Sequence, residues 1–291
     1  MNTKFVNIRG EYEFDVDENG FPTFTEKNIK FLNAILRYDS NYSTSIETES
    51  LEYDQNYAGI LERTKERFFV FPTERTYLGT KLGSGKRNSE ADEDGYEKDD
   101  LYRVIETIDK INSTHLASEG PNGGNRGRIN TVNKIRKIND LKERLKEKDP
   151  ELVYEIAEMG GGKTNFSFAT KFCSYVCRHA LDVDNYCIYD EVVQSVLPYY
   201  AYMYIDGNEY KKLYKRVSGK NARNKSTVYK FKEEKDYEGY RDIIDKIIRG
   251  IYEKVGTKVT YSEFDHMLWY YFKGLKSKTE KAMQCLDGEK Q

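Results

Sequence analysis

The run NFSFATKFCSYVCRHALDVDNYCIYD, residues 165–190, decides how this chain is read. From Ala169 its apolar residues fall at Ala169, Phe172, Cys173, Val176, Cys177, Ala180 and Leu181. That 3-4-3-4 spacing over three turns predicts a helix with one core-facing stripe. Lys171, Ser174, Tyr175 and Arg178 fall on its other side, which puts Lys171 in the first turn and away from the core. The positive end of a helix dipole, with any burial, disfavours an ammonium ion, and an enzyme can make a lysine nucleophilic in this way. Asp190 stands where the following helix, starting in DEVVQSVL, needs an N-cap.

Immediately upstream, AEMGGGKT (157–164) satisfies the permissive phosphate-loop pattern [AG]-x-x-x-x-G-K-[ST]. Such a loop joins a buried strand to a helix, so that backbone N–H groups cradle phosphate. What precedes Gly160 is DPELVYEIAEM, in which Asp149 is a natural N-cap, Pro150 a natural first residue, and Leu152, Val153, Ile156 and Ala157 a helical stripe. A helix in that place argues against nucleotide hydrolysis. The Walker-B-like YCIYD ends at Asp190, only 27 residues beyond Lys163, and a helix occupies most of the interval.

Further out, Leu101, Val104, Ile105, Ile108 and Ile111 form one helical stripe, and Ile129, Val132, Ile135, Ile138, Leu141 and Leu145 another. GYRDIIDKIIRGIYEKV carries six aliphatic residues on one face and stops at Gly256; Ser262 is placed to cap the last helix, EFDHMLWYYFKGLK. The first 20 residues alternate and close on Asn19-Gly20, which suggests a short strand pair. TEKNIKFLNAILRY reads as an amphipathic helix, ERFFVFP (66–72) as a strand ended by Pro72, and the Gly- and acid-rich 79–100 as a mobile surface loop. The fold class is therefore mainly α: a small N-terminal α/β portion over 1–100 and a helical body over 101–291.

The 291 residues carry a formal charge of only −2, which excludes a globally basic nucleic-acid binder. Local patches remain. Residues 126–148 hold nine Lys/Arg against three acids, and 210–232 hold nine against none, so a phosphate-facing surface flanks the central motif. There are 25 Tyr and 14 Phe with a single Trp, so much of the apolar area lies in rings with a polar tip. Neither a signal-peptide core nor an 18-residue apolar run occurs, and a cytoplasmic protein without membrane contact is expected. Cys173, Cys177, Cys187 and Cys285 match no zinc spacing and are expected as buried thiols, with no metal.

Phe166-Ser167-Phe168-Ala169-Thr170-Lys171, followed 19 positions after the lysine by Asp190, resembles the helix-hairpin-helix DNA glycosylases, nearest to their 8-oxoguanine glycosylase branch and to a bacterial subgroup of that fold. Ser167 and Ala169 stand where that family carries hairpin glycines, Phe168 is the apolar residue between them, and Thr170-Lys171 matches outright. FDHMLW (264–269) is reminiscent of the family's last helix. Tyr175 replaces the cysteine that the 8-oxoguanine enzymes place at the base pocket. The four-cysteine iron–sulfur loop of other branches is missing, so no cofactor is expected.

The resemblance implies excision of a damaged or modified base from double-stranded DNA. Lys171 would attack C1′ of an everted nucleotide and Asp190 would stabilise charge on the sugar. The hairpin motif 165–171 would hold the DNA backbone through Asn165, Ser167, Phe168, Ala169 and Thr170. Tyr175, His266 and Trp269 are candidates for the base pocket. Two rivals use the same residues: a non-catalytic helix-hairpin-helix nucleic-acid binder, in which Lys171 only touches phosphate, and an aromatic protein-interaction scaffold.

Overall fold

A computed structural model describes residues 14–33, 57–70, 99–112, 114, 116, 126–158, 165–207, 209, 215–217, 228–230 and 236–272. These are mainly helical, as the periodicities predict. The helices are α1 over 26–33, α2 Tyr57–Thr64, α3 Asp100–Asn112, α4 Arg126–Ile135, α5 Leu141–Lys146, α6 Pro150–Ala157, α7 Phe166–Ala180, α8 Glu191–Tyr204, α9 Tyr237–Val255 and α10 Tyr261–Phe272. A short antiparallel ladder pairs β1 Lys215–Val217 with β2 Val228–Lys230.

The chain divides into two compact units, Asp39–Asn185 and Met1–Tyr38 with Tyr186–Gln291. The boundary expected near residue 100 therefore falls inside the first of these. Local patterning shows that an element has an apolar face but not which distant element covers it. Here α2 packs on α3 and α7, whereas residues 14–33 share a unit with the C-terminal helices. The loop expected over 79–100 lies, up to residue 98, outside the described residues.

In the Asp39–Asn185 unit α7 is the common support, since α2, α3, α5, α6 and a 3-10 turn all pack on it. Its stripe is buried as expected: Phe172, Cys173, Val176 and Cys177 are wholly so. The opposite face is not solvated. Lys171, Ser174 and Tyr175 are buried too. In place of the strand expected over 66–72, Lys65–Phe69 continue α2 as a 3-10 helix that buries Phe68, while Phe71 and Pro72 lie outside the described residues. Two buried carboxylates bind α3 to α4. Asp109 receives Arg128 Nε at 2.9 Å, and Asp99 receives Arg136 Nη2.

In the other unit α8 packs against α9 and α10. Of the strand pair expected over the first 20 residues, 1–13 lie outside the described residues; the described part forms an antiparallel bridge, Val16 to Pro22, around the Asn19-Gly20 turn. Asn28 of α1 is fully buried and holds both sides of that turn, donating from Nδ2 to the carbonyls of Asp15 and Thr23. Tyrosine hydroxyls fasten it from above: Tyr199 donates to Asp17 Oδ2 at 2.6 Å, Tyr200 to the Pro22 carbonyl and Tyr271 to the Gly20 carbonyl. At its end α9 stops on Gly256 at φ 79°, a left-handed position that glycine fills without strain. The last helix starts one residue before the expected cap. Thr260 and Glu263 form a reciprocal capping box, and Ser262 lies buried inside the helix.

Gly250 marks a close helix approach in this unit, because a Cβ there would run into the Tyr204 backbone carbonyl. A backbone neighbour cannot swing aside as a side chain can, so α9 must shift on α8. Gly250→Ala is expected to lose about 1–3 kcal/mol despite its better helix propensity. A thermal melt at or above the parent midpoint would refute that reading of the contact.

Candidate functional site

The candidate nucleophile is carried by α7, and its surroundings begin with α6. Asp149 caps α6 through Glu151 N–H at 2.9 Å and Pro150 takes its first position, as the sequence indicates. A helix and not a strand thus leads into 158–164; Gly160, Gly161, Gly162 and Lys163 themselves lie outside the described residues. The chain closes again at Asn165, whose N–H donates to the Ala157 carbonyl at 2.8 Å, and α6 and α7 pack together.

Asn165 is the N-cap of α7. Its Oδ1 accepts from Phe168 N–H at 3.1 Å, its carbonyl accepts from Ala169 N–H, and its Nδ2 donates to the Thr114 carbonyl at 2.6 Å. The helix therefore begins at Phe166, and Lys171 sits in its second turn, not its first. Lys171 is 4% exposed and its Nζ donates to Ser167 Oγ at 3.2 Å, one turn back. A long amine is thus kept inside the protein and directed at the serine one turn back.

This arrangement corrects part of the expected DNA-backbone set. Phe168, Ala169 and Thr170 are buried at 1%, 0% and 0%. The amides of Phe168 and Ala169 are already bonded within the turn, and Thr170 Oγ1 donates back to the carbonyls of Phe166 and Ser167. Their task in the structure is to build the start of α7. Ser167 and Asn165 keep partial exposure, but both polar ends of the Asn165 side chain are engaged.

Asp190 belongs to the other unit. It is 6% exposed and caps α8 through Val193 N–H at 3.0 Å, as expected. The extended stretch before it is fixed by α9, where Tyr237 and Tyr240 donate to the carbonyls of Cys187 and Ile188. Burial pushes the Tyr240 phenol well above its usual range, so it stays a donor. His266 and Trp269 are half-buried on α10 in the same unit; His266 Nδ1 donates to the Ser262 carbonyl, and Trp269 meets Tyr270 edge to face. Tyr175 lies with Lys171 on α7. The structure thus groups Lys171, Ser167, Asn165 and Tyr175 in one unit, and Asp190, His266 and Trp269 in the other.

Sequence reading missed the polar foundation under this helix. Asp109 Oδ1 accepts from Thr114 Oγ1 at 2.7 Å and from Leu116 N–H at 2.9 Å, while Arg128 spans Asp109 and Glu106. The signal was present, since Asp109 is an acid on the apolar stripe of α3 and Arg128 heads the stripe of α4. The basic surface over 126–148 is also smaller than counted, because Arg128, Arg136 and Arg144 are in ion pairs. Cys173, Cys177 and Cys187 are free and buried, and desolvation pushes each thiol up. Among the described residues no group of three His, Cys, Asp or Glu could hold a metal, and no helix is long and apolar enough to cross a membrane.

Comparison with known proteins covers the first of these two groups. A family model, HI_0787_N, described as an N-terminal domain, matches residues 88–180, which take in Asp109, Arg128, Asn165 and Lys171 and end with α7. An uncharacterized protein of Haemophilus influenzae is 32% identical over 108 residues, 36% of this chain. The chain spans only 41% of the length of that relative. No solved structure matches.

The far end of α7 is held by His179, whose Nδ1 lies 2.8 Å from Glu62 Oε1. An ionised Glu62 only accepts, so Nδ1 carries the proton. Burial lowers the His179 pKa below its usual 6.5, against the pull of Glu62. As pH falls through 6.5 the unfolded chain therefore binds a proton that the folded chain resists, and stability declines until the lowered folded value is reached. Denaturant titrations at pH 7.5 and 5.5 should show a larger acid-induced loss for the parent than for His179→Gln. Equal losses would mean that His179 does not titrate differently on folding.

Proposed function

We propose that this protein is a DNA N-glycosylase that removes a modified base from duplex DNA, with Lys171 as nucleophile and Asp190 as its carboxylate partner. The observation that carries the reading is the burial of Lys171 on the second turn of α7, its amine directed at Ser167. A lysine needed only for charge is cheaper to leave in water, because burying an ammonium requires compensating partners. The α6–α7 pair before it and the buried cap Asp190 after it agree with the resemblance drawn from FSFATK and its following aspartate.

The chemistry follows from the two groups. The target nucleotide leaves the stack, since C1′ is inaccessible within it. Lys171 attacks C1′ with its amine lone pair; the N-glycosidic bond breaks, and the base departs with that electron pair and takes a proton from the attacking nitrogen. Asp190, ionised, stabilises the positive charge that builds on the sugar as the bond lengthens. The remaining proton on nitrogen passes to the ring oxygen as the C1′–O4′ bond breaks, which opens the sugar and leaves a Schiff base. Removal of a C2′ proton then expels the 3′ phosphate and nicks the strand, a β-lyase step. Exposed Lys134, Lys137, Lys146 and Lys148 can contribute phosphate contacts, as can the basic 210–232 stretch, whose side chains lie outside the described residues. Duplex DNA and reduced thiols both fit a cytoplasmic protein.

Duplexes bearing different modified bases or an abasic site, incubated under borohydride, should yield a covalent protein–DNA adduct. Lys171→Gln should abolish it. Asp190→Asn retains an N-cap of equal quality, so it should fold as the parent does and lose about 10²-fold or more in rate. DNA binding with no adduct on any duplex would turn the reading into that of a non-catalytic binder. Absence of binding even at low salt would remove DNA from the account altogether.

A further inference from the structure

We propose that Asn165 is a positioning residue for Lys171, tying the first turn of α7 to a buried carboxylate network so that the amine is presented from a fixed helix. The inference rests on Lys171 being the nucleophile. Its warrant is a continuous set of contacts inside the Asp39–Asn185 unit. Arg128, itself buried, donates to Asp109 Oδ2 at 2.9 Å, and Asp109 Oδ1 holds both the Thr114 hydroxyl and the Leu116 amide. That fixes the Thr114 carbonyl, which receives Asn165 Nδ2 at 2.6 Å. Asn165 Oδ1 then takes the Phe168 amide, and its backbone bonds reach Ala157 and Ala169.

Helix ends fray, and a first turn held only by its own hydrogen bonds opens more readily than the middle of the helix. The Lys171 amine is exposed to that weakness because its acceptor, Ser167, belongs to the first turn. A displacement of about 1 Å is enough to cost an oriented nucleophile most of its advantage. Capping alone does not explain the choice of residue, since Asp, Ser or Thr would accept from the Phe168 amide equally well. Asparagine adds a donor, and the donor is used.

Asn165→Asp separates the two roles. It retains the cap acceptor and complements the helix dipole, but it loses the bond to Thr114 and sets a carboxylate against that carbonyl. Limited labelling with an amine reagent, read peptide by peptide, tests the tether without DNA. Lys171 should label about tenfold faster or more in the variant relative to the exposed Lys146 and Lys148, with circular dichroism unchanged. Single-turnover borohydride trapping, with abasic duplex raised until the rate no longer depends on its concentration, should slow by about tenfold or more. Parent-like labelling of Lys171 in the variant would overturn the proposal, as would parent-like trapping, in which case the glycosylase reading stands alone. Faster labelling combined with no trapping by the parent protein would leave the tether standing and remove the glycosylase reading instead.

Discussion

A helix buried on nearly every side has no water to receive its polar groups, and this constraint organises the Asp39–Asn185 unit. The first turn of any α-helix presents amides without intrahelical acceptors, and burying them unmet costs about 1–3 kcal/mol each. For α7 the acceptors come from Asn165, and Asn165 in turn needs a fixed partner on its amide end. Thr114 supplies it only because Asp109 holds Thr114, and Asp109 can be buried only because Arg128 neutralises it. The polar residues of the helix obey the same rule. Thr170 returns its hydroxyl to the preceding turn, and Lys171 finds Ser167. A chain of requirements therefore runs from an ion pair between α3 and α4 to the placement of one amine.

The second unit meets the same constraint by other means. Residues 186–190 lie in neither helix nor strand and have no ladder partner among the described residues, so their carbonyls need donors from elsewhere. Tyr237 and Tyr240, three residues apart on α9, face that stretch together and donate to Cys187 and Ile188. Each ring buries a large apolar area while its hydroxyl satisfies a backbone acceptor, which explains the use of tyrosine where phenylalanine would leave a carbonyl unmet. Two residues further on, Asp190 turns the extended chain into α8. The position of the candidate carboxylate thus depends on phenols that themselves take no part in the proposed chemistry.

Local features were legible in the sequence wherever a single element determines them. Asp149-Pro150, Asp190 and Gly256 mark helix ends through the chemistry of a few adjacent atoms, and the stripe from Ala169 to Ala180 marks a core face through its period. Thr260-x-x-Glu263 was equally readable as a capping box, although Ser262 drew attention two residues away. What one element cannot reveal is what covers it. The face of α7 bearing Lys171, Ser174 and Tyr175 looks solvated from periodicity alone, and ERFFVFP looks like a strand until α2 fixes its register as a helical turn. The start of α7 was misjudged for a related reason: its cap, Asn165, is held by Thr114, 51 positions earlier.

Charge shows the same division between composition and structure. In residues 126–148 the arginines and lysines count alike toward a basic segment, yet they go to different places. Arg128, Arg136 and Arg144 enter ion pairs between elements, where a planar, weakly hydrated fork can satisfy two acceptors at once. Lys134, Lys137, Lys146 and Lys148 stay exposed, as strongly hydrated point charges do. A phosphate backbone approaching this segment would meet these lysines before Arg128, Arg136 and Arg144, which are already committed to carboxylates. The arginines still matter to α7, since Arg128 pairs with the buried Asp109 that holds Thr114 and, through it, Asn165. Basic residues here therefore fall into two groups that a net charge merges: lysines that stay in water, and arginines whose ion pairs support the helix that carries the amine.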